Sequence, residues 1–250
     1  MAIVSLRGVA KAFGSGTLAL DGLDLDVRAG EFVSLLGPSG CGKSPALRIV
    51  AGLSEPSRGT VAWADTAARA GIGFVFQEPT LMPWASVSSN VYLPLKLSGV
   101  DRGAAASRVE DTLHRVGLSD FRNAYPRELS GGMKMRVSIA RALVTAPRVL
   151  LMDEPFAALD EITRFKLNDD LLALWRELRM TVVFVTHSVF ESVYLSERVV
   201  VMTARPGRVF GEITVQAPVR DADFRTSAGY AAICRQASDA LAQATQQRAA

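Results

Sequence analysis

The chain has 250 residues, 49% of them hydrophobic and 21% charged, which is enough apolar material for a sizeable core and excludes a disordered chain. Its formal net charge is +3, but Lys and Arg are scattered among Asp and Glu rather than gathered in a block, so no nucleic-acid partner is expected. Two cysteines, Cys41 and Cys234, offer no disulfide framework and favour a reducing, cytoplasmic compartment. No apolar run approaches the roughly 20 residues that span a bilayer, and Met1-Ala2-Ile3-Val4-Ser5 lacks the segments of a secretory signal. Any membrane role has to come through a partner, so the chain is expected to be peripheral.

In chain order, Leu23, Leu25 and Val27 alternate with Asp24 and Asp26, the period of a half-solvated strand, and Ala29-Gly30 turns into the apolar run Phe32–Leu36, which reads as a buried parallel strand. Lys43 to Leu53 carries helical spacing. Further strands are predicted at Gly71–Phe76, Val149–Met152, Thr181–Val185 and Arg198–Met202, separated by helical segments, so the fold class is α/β, with crossover units and a β-rich N-terminal region. From Glu78 the character changes: Arg102–Val116 reads as a helix stopped by Gly117, Ser119–Tyr125 as a short helix and Gly132–Val144 as another. Pro206-Gly207 then turns into a last strand, Phe210–Val215, followed by an Ala/Gln-rich helix. The expected organisation is a single domain with a catalytic core at 1–77 and 145–215, an inserted helical subdomain at 78–144 and a C-terminal helical extension at 216–250.

Between the buried strand and the first helix lies Gly37-Pro38-Ser39-Gly40-Cys41-Gly42-Lys43-Ser44, a phosphate loop of the pattern G-x-x-x-x-G-K-[ST]. Its glycines let successive N–H groups face phosphate oxygens, its lysine reaches the β- and γ-phosphates, and its serine hydroxyl binds Mg²⁺. A helix N-terminus is a favourable place for a triphosphate, because its N–H groups are unused and its dipole end is positive. Val149–Met152 leads into Asp153-Glu154, suited to one metal-side carboxylate and one base that polarises water, although adjacent acids at a strand end are often only solvated. Gln77 and His187 also follow strands directly, where open α/β sheets place ligands. Leu129-Ser130-Gly131-Gly132-Met133 opens a second helix with glycines.

Lys43-Ser44, Gln77, Leu129–Met133, Asp153-Glu154, Ala158-Leu159-Asp160 and His187 resemble, in order, the motifs of ABC-transporter ATPase subunits, over about residues 3–215. The resemblance implies a P-loop ATPase fold with a mixed sheet, an N-terminal antiparallel region and the helical insertion, hydrolysing ATP with Mg²⁺. It implies that Ser44 and Asp153 hold the metal with Gln77 in its shell, that Glu154 orients water, that Lys43 neutralises phosphate charge and that His187 contacts the γ-phosphate. It further implies that Asp160 binds nucleotide and that cassettes pair head to tail, so that Ser130, Gly131 and Gly132 meet the nucleotide held by the partner's phosphate loop. Phe13 stands where the family has an aromatic stacking on adenine, although a phenylalanine at a strand end is commonly core. Leu81-Met82-Pro83-Trp84 resembles a docking surface for a membrane subunit, with packing an equal alternative.

Pro45 departs from the family, which nearly always has Thr there. Proline supplies neither the N–H nor the hydroxyl that meets the α-phosphate; the first helical turn tolerates its ring, but one charge-assisted hydrogen bond is lost, at a cost of about 1.5–3 kcal/mol. His114, mid-helix beside Arg115, is assigned no chemistry. The wording of Phe74–Gln77, Leu81–Trp84 and Leu129–Met135 is similar to the nitrate/sulfonate/taurine importer branch. That branch implies a second, identical ATPase subunit, two membrane-spanning permease subunits, a periplasmic or extracellular solute-binding protein reached through them, and a place at the cytoplasmic face of the membrane. A lipid or lipoprotein exporter ATPase would share every catalytic residue, and a soluble ABC-type ATPase is the alternative outside transport.

Overall fold

In the computed structural model, residues 1–14, 16–217 and 219–246 are described. The elements run β1 (Ala2–Ala12), β2 (Leu18–Arg28), β3 (Phe32–Leu36), α1 (Lys43–Val50), β4 (Arg58–Trp63), α2 (Thr66–Ala70), β5 (Ile72–Val75), α3 (Val87–Leu97), α4 (Arg102–Arg115), α5 (Gly131–Leu143) and β6 (Val149–Asp153). They continue with α6 (Glu161–Leu178), β7 (Thr181–Thr186), α7 (Val189–Leu195), β8 (Arg198–Met202), β9 (Val209–Thr214), α8 (Ala222–Thr226) and α9 (Ala228–Gln246). The chain divides into two compact units, one of Met1–Ala70 with Arg179–Ala250 and one of Gly71–Leu178. The C-terminal extension predicted for 216–250 includes Pro218 and residues 247–250, which lie outside the described residues.

In the first unit β3 runs between β7 and β8, parallel to both, with Phe32 opposite Val182 and Val33 opposite Arg198. Every residue of β3, β7 and β8 is buried, the composition required of a parallel strand covered on both faces. The last strand, β9, joins β8 antiparallel and makes the sheet mixed. A separate antiparallel sheet has β1 between β2 and β4. In β2 the alternation is as read: Leu23, Leu25 and Val27 point into the core. Asp26 accepts from Ser5 Oγ at 2.5 Å and from Arg7 at 2.7 Å, and these two bonds lower its pKa below the ordinary carboxylate value. At the N-terminal end of β8 the buried Arg198 guanidinium grips Glu31 at 2.7 and 3.0 Å and Glu212 at 2.7 Å. Burial alone would depress the Arg198 pKa, and the two carboxylates outweigh it and raise it. The helix α9 packs on α7, β8 and β9.

The second unit contains the parallel pair β5 and β6 and the helices α3 to α6. Its α5 packs on α3, α4, α6 and β5 through Met135, Val137, Ile139 and Leu143. Several boundaries differ from expectation for local reasons. The first helix stops at Val50 instead of Leu53, closed by a turn in which Leu53 N–H donates to Arg48 O at 2.9 Å. The short helix predicted at Ser119–Tyr125 is only a 3₁₀ turn, Ser119–Phe121, because Tyr125 precedes Pro126 and is driven to an extended ψ of 158°. The last strand begins one residue earlier than predicted, at Val209, and the helix expected from Gly132 opens at Gly131.

Candidate functional site

The phosphate loop leaves β3 at Gly37 and enters α1 at Lys43. The residue before the helix, Gly42, has φ 111° and ψ 4°, in the left-handed region, and a Cβ there would lie 2.6 Å from the Ala19 carbonyl oxygen and 2.7 Å from Leu20. Both conformation and space therefore demand glycine. Within the loop, Cys41 N–H donates to Pro38 O at 3.3 Å, and the Cys41 side chain is buried. Lys43 is only 3% exposed, and its ammonium donates to the Gly37 and Pro38 carbonyls at 2.8 and 3.0 Å. The cation is thus folded back over its own loop, where it has been taken out of water and interacts strongly with anions. Ser44 is half-buried one residue further, while Ser39 and Gly40 form the exposed rim.

Pro45 is the third residue of α1, and the first intrahelical bond is Ala46 N–H to Gly42 O at 2.9 Å. The ring therefore breaks no helical bond, and the fold tolerates it as expected. What proline removes is one of the four N–H groups that the helix start leaves for a ligand.

Also in the first unit, His187 is exposed at the end of β7. Its neighbours set its backbone: Thr186 Oγ1 donates to Glu191 at 2.5 Å and accepts from Ser188 N–H at 3.0 Å, and Ser188 caps α7 by accepting from Glu191 N–H at 3.3 Å. Phe13 is 47% exposed beyond the end of β1, with the Lys11 ammonium 5.9 Å from its ring centre, so it is not a core residue.

In the second unit Asp153 is 5% exposed at the end of β6. Glu154 is half-buried with φ 45°, a conformation uncommon for a non-glycine residue, and its carbonyl accepts from Ala157 N–H at 3.2 Å in the turn that follows. Asp160 is exposed and caps α6 by accepting from Thr163 N–H at 2.9 Å; hydrogen bonding to Thr163 holds its pKa below the ordinary carboxylate value. Ser130 is exposed and caps α5, its Oγ accepting from Met133 N–H at 3.3 Å. Gly131 is exposed beside it, whereas Gly132 is buried against α6, where a Cβ would meet Thr163 Cγ2 at 2.6 Å. Gly132 therefore serves helix packing as well as the helix opening.

Gln77 is exposed just beyond β5, and the loop after it is held by two residues that the sequence reading missed. Arg141 donates to the carbonyls of Thr80 and Pro79 at 2.8 and 2.9 Å, with its pKa lowered by burial. Fully buried Asn90 accepts from Met82 N–H at 2.8 Å and donates to the carbonyls of Met82, Ala85 and Ser86 at 3.2, 3.0 and 3.1 Å. Four bonds from one side chain fix the bend that leaves Trp84 77% exposed, with Leu81 and Met82 half-buried behind it. An amide inside a helix signals little by itself, and only the missing partner groups in residues 82–86 point to it. His114 is exposed on α4.

Taken one at a time, Ser44 at the start of α1 offers a hydroxyl and Asp153 at the end of β6 a carboxylate, each a hard oxygen donor of the type that Mg²⁺ prefers.

A phosphate loop between a buried parallel strand and a helix, with a carboxylate-tipped strand later in the chain, defines a P-loop nucleotide-binding protein. Residues 20–157 match the family model described as ABC transporter. The chain is similar to the aliphatic sulfonates import ATP-binding protein SsuB 1 of Pseudomonas syringae pv. syringae, at 49% identity over 213 residues, 85% of this chain and 86% of the relative. It is similar to the structure of cbiO1 from Clostridium perfringens, part of the ABC transporter complex cbiONQ, with TM-score 0.77, 30% identity and coverage of 86% and 89%. It is also similar to the ATP-binding cassette MJ0796, solved as a dimer in a post-hydrolysis state with ADP and Pi, with TM-score 0.75, 34% identity and coverage of 86% and 99%. The chain belongs to the ABC transporter family and is an ATPase subunit of it. Among the described residues no helix is long and apolar enough to cross a membrane.

Proposed function

We propose that the chain is the ATP-hydrolysing subunit of an importer, working as a pair of identical cassettes on two membrane-spanning subunits at the cytoplasmic face. In this reading ATP and water give ADP and phosphate. Lys43 and the loop amides neutralise phosphate charge, Ser44 and Asp153 hold Mg²⁺ with Gln77 in its shell, Glu154 orients the water, and His187 stabilises the developing charge. The bound Mg²⁺ supplies charge neutralisation on the phosphates. Phe13 stacks on the base and Asp160 binds nucleotide, while Ser130, Gly131 and Gly132 act on the nucleotide held by the partner cassette. The catalytic core is taken as 1–77 and 145–215, the helical subdomain as 78–144 and the extension as 216–250.

The observation that carries this reading is that one chain holds both a phosphate loop with a buried lysine at the start of α1 and a serine-capped glycine pair at the start of α5, with Ser130 and Gly131 exposed. The exposed Trp84, held out by Asn90, is taken as the permease contact. An organosulfonate or similar small oxyanion is the proposed cargo, supported by the 49% identical relative that serves aliphatic sulfonates import, and a solute-binding protein is proposed to deliver it. The test is co-purification of the chain with its membrane subunits and reconstitution in vesicles with the cognate solute receptor. ATP-driven alkanesulfonate uptake that stops in Glu154→Gln is the expected result, and ATP-independent uptake or outward transport would overturn it.

A further inference from the structure

The turn at Arg205–Gly207 touches the phosphate loop at two points. Arg205 Nε donates to the Gly40 carbonyl at 3.0 Å, from an exposed side chain. Gly207 approaches so closely that a Cβ there would lie 2.1 Å from the Cys41 carbonyl oxygen, a separation no side chain could adopt. The turn is itself well anchored. Gly207 N–H donates to Ala19 O at 2.9 Å, Asp21 N–H donates to Gly207 O at 3.2 Å, and Thr203 Oγ1 donates to Pro206 O at 3.1 Å while accepting from Arg208 N–H at 3.0 Å. Arg208 also pairs with Asp21.

The carbonyl that Arg205 holds belongs to the peptide linking Gly40 and Cys41, and the N–H of that same peptide donates to Pro38 O at 3.3 Å. The peptide plane is therefore pinned at both ends, immediately before the left-handed Gly42 that aims the loop into α1. A loop of consecutive N–H donors binds an anion only while its peptide planes are correctly turned, and apparent affinity scales with the fraction of time they are.

We propose that Arg205 is a positioning residue for nucleotide binding: its guanidinium braces the Gly40–Cys41 peptide and keeps the phosphate loop in its binding-competent shape. This rests on the reading that the loop binds nucleotide phosphate. The brace acts before binding. Once a nucleotide occupies the loop, phosphates bound to the neighbouring N–H groups hold the loop's shape themselves, so affinity depends on Arg205 more than turnover at saturation does.

The test is titration of the full chain with a non-hydrolysable ATP analogue and Mg²⁺, with steady-state ATPase measured in parallel, for Arg205→Ala, Arg205→Lys and Lys43→Ala. Arg205→Ala is expected to raise Kd and KM about five- to tenfold, with kcat within about twofold of the starting protein. Arg205→Lys keeps a charged donor within reach of Gly40 O and is expected to recover at least half of that loss on a logarithmic scale. Unchanged affinity in Arg205→Ala, a loss confined to kcat, or Arg205→Lys as weak as Arg205→Ala would each overturn the inference. Lys43→Ala separates the two failures: retention of binding there would sink the reading of the loop, whereas loss of binding there with normal Arg205→Ala would sink the brace alone.

Discussion

Two helices of this chain begin with glycines, and they begin differently. The start of α1 is closed in, with Lys43 buried on the Gly37 and Pro38 carbonyls, Gly42 against Ala19 and Leu20, and the turn at Gly207 against Cys41. The start of α5 faces outward, with Ser130 and Gly131 exposed and one capping bond from Met133 N–H. That cap uses the Ser130 oxygen as an acceptor and leaves its O–H as a donor. The same helix-end physics therefore takes two forms: a cradle over-determined by its surroundings, proposed to hold a ligand of its own, and an exposed cap, proposed to meet a ligand held elsewhere.

The sharpest way to break this contrast is to remove chemistry while keeping both helix starts intact. Glu154→Gln is expected to lower steady-state ATPase turnover by about 10³-fold, the scale of a lost general base, with nucleotide affinity retained; equal turnover in a phosphate-release assay would contradict the role given to Glu154. Next in size, Lys43→Ala removes a buried cation from the closed helix start and should weaken Mg-ATP binding by about 10²-fold, near 3 kcal/mol, read by fluorescent nucleotide titration.

Pro45→Thr sharpens the account of the closed helix start, because it restores the N–H and adds a hydroxyl without altering the first helical bond at Ala46. Nucleotide affinity should tighten by about tenfold, the low end of a charge-assisted hydrogen bond, and Pro45→Ala, which restores the N–H alone, should fall between. The idea fails if neither variant binds more tightly.

Ser130→Ala probes the open helix start. It should cost about 1 kcal/mol of stability through the lost cap, measured by urea denaturation, and should leave the affinity of a single chain for ATP unchanged. Smallest of all is the acid effect at Asp26. Its folded pKa is lowered, so its stabilisation is present above the unfolded value near 3.8 and is lost as pH falls through the folded value. Because the Arg7–Asp26 pair is half exposed, screening keeps this contribution modest. Asp26→Asn should flatten the dependence of the urea midpoint on pH below about 4, and an unaltered slope would contradict that assignment.

Much of the first helix start was legible because its determinants are contiguous: an apolar β3, a glycine-rich loop, then helical spacing in α1. β7 and β8 were legible for the same reason, each a short apolar run. α3 was hidden by Pro94 inside it, which reads as a breaker. β4 was hidden because it is mostly exposed and is ordered by backbone pairing with β1 rather than by apolar alternation. The braces differ in reach: Asn90 holds the bend around Trp84 from only four to eight residues along the chain, whereas Arg141 on Pro79 and Thr80 and Arg205 on Gly40 act at long range and leave no local trace. Phe13 could be read as core or as exposed from the sequence, and its position beyond the end of β1 decided for exposure.

The central claim is that ATP joins the closed helix start of one cassette to the open helix start of another. Sedimentation velocity of Glu154→Gln with saturating Mg-ATP tests it most directly. The account predicts a shift from monomer to dimer that disappears on removing nucleotide and in the Glu154→Gln, Ser130→Phe double variant. A Glu154→Gln protein that binds ATP and remains monomeric, or a dimer indifferent to Ser130→Phe, would contradict it.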